Sequence, residues 1–363
     1  MKSNKIDILM LSNWDWSNTG YRLHKCAKKL GLNAIFYKGQ PHEFAYPEQG
    51  AIHPKIQKAE LVANHPIILR APELKPILEN AHLVQFMDGT YIDTGYIPSP
   101  SIICYGGTTY RLEPKIVSTL FNSFVSQSIC YFPSLLNLGA KNESLIYYPV
   151  DTEFLEPDFR IREKKLRIGH NPSSALNKGS QTIIGVLQKL IANEKFLKRF
   201  NYVGVTPDQF ASKESRKVAD GIRITTKVLE PSYQWEWLGH IDRLRSCDIY
   251  IEALKPVLHG KPFGEWGNAA LEAAALGKIV ITHSINKDVY QREYGDNPLR
   301  IANTPEELEA HLLQLLELSD KEIIEEKKLM RQWAEDKHGI TATAARWWDK
   351  VYSNYFKEDL SWK

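Results

Sequence analysis

The chain is poor in the features that would place it quickly. Its four cysteines, Cys26, Cys104, Cys130 and Cys247, are scattered with no Cys-x-x-Cys pair, which argues against a disulfide framework or a zinc site and fits a reducing compartment. No run approaches the ~20 apolar residues needed to cross a bilayer. The opening run Ile6 to Leu11 is interrupted at Asp7 and short for a signal peptide, so the expected location is cytoplasmic. There is no Asp-x-Asp pair, from which no metal requirement is expected. Long repeats, heptads and low-complexity segments are missing, which excludes solenoids and coiled coils. The formal charge of +3 is too small to point to a polyanionic partner.

What is there is an ordinary globular composition, 43% hydrophobic and 25% charged, over 363 residues, long enough for two domains. The most informative stretch is Lys261-Pro-Phe-Gly-Glu-Trp-Gly-Asn-Ala-Ala-Leu-Glu-Ala-Ala-Ala-Leu-Gly-Lys-Ile-Val-Ile281. Gly264 and Gly267 bracket Glu265-Trp266 in a loop whose backbone can approach a ligand. Asn268 to Leu276 reads as a helix closed by Gly277, and Ile279 to Ile281 as a buried strand. A glycine loop feeding a helix leaves unpaired N–H groups under the positive end of the helix dipole, a place that welcomes an anion. The plainer reading is a glycine-punctuated loop before a packing helix.

Apolar runs at Ile6 to Leu11, Asn33 to Tyr37, Leu83 to Met87, Ser101 to Tyr105 and Ser128 to Phe132 alternate with helical stretches near Tyr21 to Leu30 and Pro114 to Phe124. Strand, helix, strand is the opening of a parallel α/β domain. The loop Asn13-Trp-Asp-Trp-Ser-Asn-Thr-Gly20 lies at the carboxyl end of the first strand, where open sheets bind ligands. Asp15, Asn18, Thr19 and Gly20 are therefore candidates to meet a ligand, or else they form a turn that caps the next helix. Further on, Leu166 to Gly169 runs into a loop ending in Lys178-Gly179 before a helix from Ser180 to Ala192. An ammonium group there can neutralise a phosphate beside helix N–H donors. Thr304-Pro-Glu-Glu307 and Ser319-Asp-Lys-Glu322 are capping-box helix starts. Trp347, Trp348, Val351 and Tyr355 form the stripe of a closing helix, read as core. Trp235, Trp237 and Trp266 offer faces for sugar stacking, or are buried.

Gly264-Glu-Trp-Gly-Asn-Ala-Ala-Leu-Glu272 resembles the donor loop of retaining GT-B glycosyltransferases, whose motif is Glu-x7-Glu. The resemblance implies an α/β fold of two Rossmann-like domains facing across a cleft. It implies that Glu272 holds the ribose of a nucleotide-diphosphate sugar and that Lys178 binds its diphosphate, with Ser173 or Asn177 where the family carries an arginine. The family's first glutamate falls on Gly264, so Glu265, shifted by one, is the nearest replacement. Gly264, Trp266, Gly267, Asn268 and Ala269 complete the donor loop, and the resemblance implies that Asp15, Asn18, Thr19 and Gly20 of the glycine-bearing first loop contact the acceptor or the diphosphate. Gly106-Gly-Thr-Thr-Tyr-Arg111 is similar to the family's His-Gly-Ser-Asp-x-Arg stretch, and only Gly107, Thr108 and Arg111 carry over, which places Arg111 on the acceptor side or in a structural ion pair. Pro149-Val-Asp151 resembles the segment that ends the first half.

The expected division is residues 1–155, a linker over 156–165, a donor-binding domain over 166–340 and a helix over 341–363 returning to the first domain. The implied reaction is transfer of sugar from a UDP- or GDP-type donor, with Lys178 and Glu265 at the reacting centre and no side-chain base required. The implied acceptor is a glycan or lipid-linked sugar, with a modified DNA base as the alternative. An epimerase, a phosphorylase or a non-catalytic module that only binds a sugar nucleotide remain as competing readings. His170, His240 and His283 are either structural or close to the chemistry.

Overall fold

The computed structural model describes residues 5–62, 67–204, 236–258 and 260–356. Trp235 lies outside them. The chain divides into two compact units, one of residues 1–149 with 338–363 and the other of residues 150–337.

In the first unit seven parallel strands stand in the order β7-β6-β5-β4-β1-β2-β3. They are β1 (Ile6–Ser12), β2 (Ala34–Lys38), β3 (Ala51–Ile52), β4 (Ala81–Phe86), β5 (Ser101–Tyr105), β6 (Gln127–Cys130) and β7 (Glu143–Leu145). The central strands are buried on both faces, as in β1, where Ile8, Leu9, Met10 and Leu11 have no solvent exposure. That is why they read as continuous apolar runs rather than alternations. β1 leads to β2 and β3 on one side, then the chain returns to lay β4 on the other, with Leu11 opposite Phe86. Helix α1 (Thr19–Lys29) follows β1, and α2 (Pro114–Asn122) precedes β6.

The second unit repeats the plan with five parallel strands in the order β9-β8-β10-β11-β12 among the described residues. These are β8 (Leu166–Gly169), β9 (Phe200–Tyr202), β10 (Ile249–Ile251), β11 (Ile279–Thr282) and β12 (Arg300–Ile301). Strand order reverses between β8 and β10, the kind of edge where doubly wound sheets hold ligands. The longer helices among the described residues include α3 (Ser180–Leu190), α4 (Trp237–Ser246), α5 (Asn268–Ala275), α6 (Pro305–Glu317) and α7 (Asp320–Trp333). Both expected capping boxes are formed, by Thr304 with Glu307 and by Ser319 with Glu322. Gly277 stands at φ +69 just beyond α5, the left-handed position that ends helices.

Residues 150–165 belong to the second unit, including the segment 156–165 read from the sequence as a linker. The Arg331 guanidinium on α7 donates to the carbonyls of Thr152 and Leu155, and buried Lys327 donates to Asp248 and to the Arg160 carbonyl. Helix α8 (Ile340–Lys350) is counted with the first unit, where the Cys26 thiol meets the Ile340 carbonyl and Tyr352 donates to Gln85. Trp347, Trp348 and Val351 are buried, so that stripe is core.

Candidate functional site

The site grows from the carboxyl ends of β8, β10 and β11. After β8 the chain makes a short helical turn over Ala175–Lys178, capped by the Ser174 hydroxyl. Gly179 then sits at φ +68, and a Cβ there would lie 2.1 Å from the Leu254 carbonyl oxygen. Only glycine allows this approach. It seats the loop on the end of β10, where the Leu254 amide donates to the Lys178 carbonyl at 2.9 Å.

The Lys178 ammonium pairs with Glu252, the residue that follows β10. Glu252 is 1% exposed, and its second oxygen accepts from the Thr282 hydroxyl at 2.8 Å. Burial pushes this carboxyl up, but Lys178, His283 and the hydrogen bonds outweigh it and hold it below the usual range, so it stays ionised. Both charges lie against Gly267: a Cβ at that residue would be 3.5 Å from the Glu252 Oε1 and 3.7 Å from the Lys178 Nζ. Helix α5 begins at the next residue, so its dipole end, an ammonium and a carboxylate share one place.

Two histidines frame it without acting as proton carriers. His170 Nδ1 meets the Ile251 carbonyl and Nε2 the Ser180 hydroxyl, each at 2.8 Å. Burial drives its pKa down to about 4, against the pull of that carbonyl, which leaves a neutral ring. His283 donates from Nε2 to the Phe263 carbonyl and accepts the Lys255 amide, and burial lowers it too.

The loop from Gly264 to Gly267 is tightly packed. A Cβ on Gly264 would fall 2.0 Å from Ile285 Cγ1, so no glutamate fits at the position where the family's first one aligns. Glu265 turns to the loop after β11, accepting from Ser284 Oγ and Asn286 Nδ2 at 2.9 Å each. Asn268 and Ala269 form the first turn of α5, and Ser173 is exposed in the loop after β8.

One expectation needs correction. Trp266 is not a stacking face: its ring has no solvent exposure and packs edge-on against Tyr290, at 4.8 Å between centroids, and near Trp333. Glu272 is 3% exposed, accepts the Trp237 indole N–H at 2.9 Å and lies 3.4 Å from His240 Nε2. Trp237, which stacks on Phe154, is thereby structural as well.

In the first unit the loop after β1 folds inward. Asp15, 2% exposed, accepts the amides of Gly20 at 2.6 Å and Tyr21 at 3.1 Å, and so caps the first turn of α1. Burial raises its pKa to about 6 despite those bonds. Asn18 donates to the Glu48 carbonyl, Thr19 is buried, and a Cβ on Gly20 would strike Phe36 at 2.6 Å. Arg111 donates to the Ser134 hydroxyl at 3.3 Å. The sequence reading missed Glu252. Its one signal is a carboxylate closing the apolar run Ile249-Tyr-Ile251.

Among the described residues no group of three or more His, Cys, Asp or Glu could hold a metal ion, and no helix is long and apolar enough to cross a membrane.

No protein-family model matches the chain, and no curated protein matches it by sequence. Solved structures do match the fold. The Anabaena protein HepE in complex with UDP-glucose aligns over 96% of this chain and 100% of its own, with a TM-score of 0.60 at 14% identity. A glycosyltransferase from Rickettsia africae aligns over 98% and 100%, with a TM-score of 0.59 at 13% identity. Sucrose-phosphate synthase from Thermosynechococcus elongatus aligns over 96% and 98%, with a TM-score of 0.57 at 12% identity. These matches define the architecture: an α/β fold with parallel sheets, of the GT-B type with two Rossmann-like domains.

Proposed function

We propose that this protein is a cytoplasmic glycosyltransferase that takes sugar from a UDP- or GDP-type nucleotide sugar and passes it, with retention, to a hydroxyl of a glycan or lipid-linked sugar. The observation that carries the reading is the Lys178 ammonium held beside Gly267 and the start of α5, at the strand-order reversal of the second unit. Departure of a nucleoside diphosphate develops negative charge on its phosphates, and fixed ammonium and N–H dipoles stabilise that charge without reorganising. A structural relative solved with UDP-glucose supports a nucleotide-sugar donor.

In this reading Lys178 neutralises the diphosphate and the first amides of α5, at Asn268 and Ala269, bind it. Glu265, braced by Ser284 and Asn286, stands ready to orient the sugar. Retention places the acceptor proton on a donor phosphate oxygen, so neither neutral histidine takes part. Glu272 serves the scaffold unless Trp237 releases it.

The test is thermal stabilisation against UDP, GDP and their sugars, followed by nucleotide release with candidate acceptors. A ligand at 100 times its Kd should add about 2.7 kcal/mol. Lys178→Ala should abolish both signals. Absence of stabilisation by every nucleotide diphosphate would end the proposal, and binding without release would leave a sensor instead of an enzyme.

A further inference from the structure

One side chain at the same edge has no role in the fold. Asn171, two residues beyond β8, is 7% exposed, yet neither its amide nitrogen nor its carbonyl oxygen has a hydrogen-bond partner among the described residues. Buried polar groups are nearly always paired, and an amide left unmatched at both ends calls for an explanation. The contrast with its neighbour is sharp, since both ring nitrogens of His170 are bonded. The β8 and β10 pairing sets Gly169 opposite Tyr250. Continued past the strand ends, that register brings residue 171 abreast of Glu252, which holds Lys178.

The chemistry of the amide narrows what it would meet. A phosphate oxygen can only accept, which satisfies the NH2 and leaves the carbonyl oxygen unpaired. A hydroxyl group both donates and accepts, and vicinal hydroxyls match the two ends of one amide. We propose that Asn171 is a specificity-determining residue that recognises a hydroxyl of the ribose or of the transferred sugar, while Lys178 recognises the phosphates. The inference rests on the nucleotide-sugar reading of the site.

Calorimetric titration of the full chain with pyrophosphate, with UDP and GDP, and with UDP-glucose and GDP-mannose separates the two roles. Lys178→Ala should weaken every probe. Asn171→Ala, and the near-isosteric Asn171→Leu, should leave pyrophosphate within about twofold and weaken the bound nucleotide or nucleotide sugar about tenfold or more, the scale on which sites built for a hydroxyl discriminate. Loss already with the free nucleotide assigns the ribose; loss only with the sugar nucleotide assigns the sugar. Because the amide supports nothing in the fold, both variants should keep or raise the melting temperature. Equal weakening of pyrophosphate would overturn the hydroxyl assignment. Unchanged affinities, or a lowered melting temperature alone, would return Asn171 to the scaffold. Wild-type protein that binds pyrophosphate but no nucleotide would overturn this inference while sparing the anion site; binding of none of the probes overturns both.

Discussion

Strand order reverses once in each sheet, between β1 and β4 in the first unit and between β8 and β10 in the second, and the chain fills the two edges in opposite ways. At the first edge the loop after β1 is spent on itself: Asp15 caps α1, Asn18 ties down Glu48, and Gly20 yields its space to Phe36. Asp88, just past β4, is held at φ +55, and burial with Asp15 nearby pushes its carboxyl well up. At the second edge the buried carboxyl, Glu252, is held down because an ammonium stands against it. The same sheet geometry thus yields a pair of carboxyls driven toward neutrality in one unit and an ion pair in the other. What differs is that Lys178 pairs directly with Glu252, whereas the ammonium of buried Lys38 near Asp15 donates to Gln49.

The largest test of that contrast removes the lysine. Lys178→Ala leaves Glu252 buried without its counter-charge, a change that costs roughly 3 kcal/mol for such pairs. Transfer should fall by about 10² or more if the ammonium serves the leaving diphosphate. Urea denaturation and initial rates read both. Lys178→Ala with Glu252→Ala should recover stability but not activity.

The pH dependence that His170 and Asp15 give to folding should differ in sign. His170, with a native pKa of about 4, lets the unfolded chain take the proton first. Its contribution is full above the ordinary histidine value and is lost as pH falls toward 4, up to about 3 kcal/mol. Asp15, raised to about 6, takes its proton first in the native state. Its contribution is present below the ordinary aspartate value and is lost as pH rises through 6. Denaturation midpoints should therefore fall less steeply in acid for His170→Gln, and lose their decline toward neutrality for Asp15→Asn.

Backbone substitutions sharpen the comparison further. Gly179→Ala forces a Cβ onto the Leu254 carbonyl at a positive φ and should cost about 2 kcal/mol together with the Lys178 geometry. Gly20→Ala meets only the edge of the Phe36 ring and should cost less. The smallest effect is expected for Trp237→Phe, which removes the indole donor from Glu272 for about 1 kcal/mol. If that variant gains affinity for nucleotide while losing stability, Glu272 does reach a ribose once freed.

The fold was legible where burial is two-sided. Leu83 to Met87 and Ser101 to Tyr105 could be read as strands because neighbours cover both faces, and the capping boxes at Thr304 and Ser319 are local chemistry complete within four residues. The site was legible only where the backbone itself demands a residue, as at Gly179. Trp266 looks like a loop aromatic until Tyr290 and Trp333, distant in sequence, close over it. Glu252 and Thr282 acquire meaning only when two strands come side by side. Ile285, which fills the room beside Gly264, explains in three dimensions a substitution that in one dimension is merely a mismatch.

Residue 178 is fastened twice to the end of β10, its carbonyl by the Leu254 amide and its ammonium by Glu252. An arriving anion can therefore recruit the cation by side-chain torsions alone, with the main chain still clamped to the sheet. Such rotations run in picoseconds to nanoseconds, whereas loop opening takes far longer. In the proposed function, turning the Lys178 ammonium toward a phosphate thus needs no movement of the main chain at residue 178.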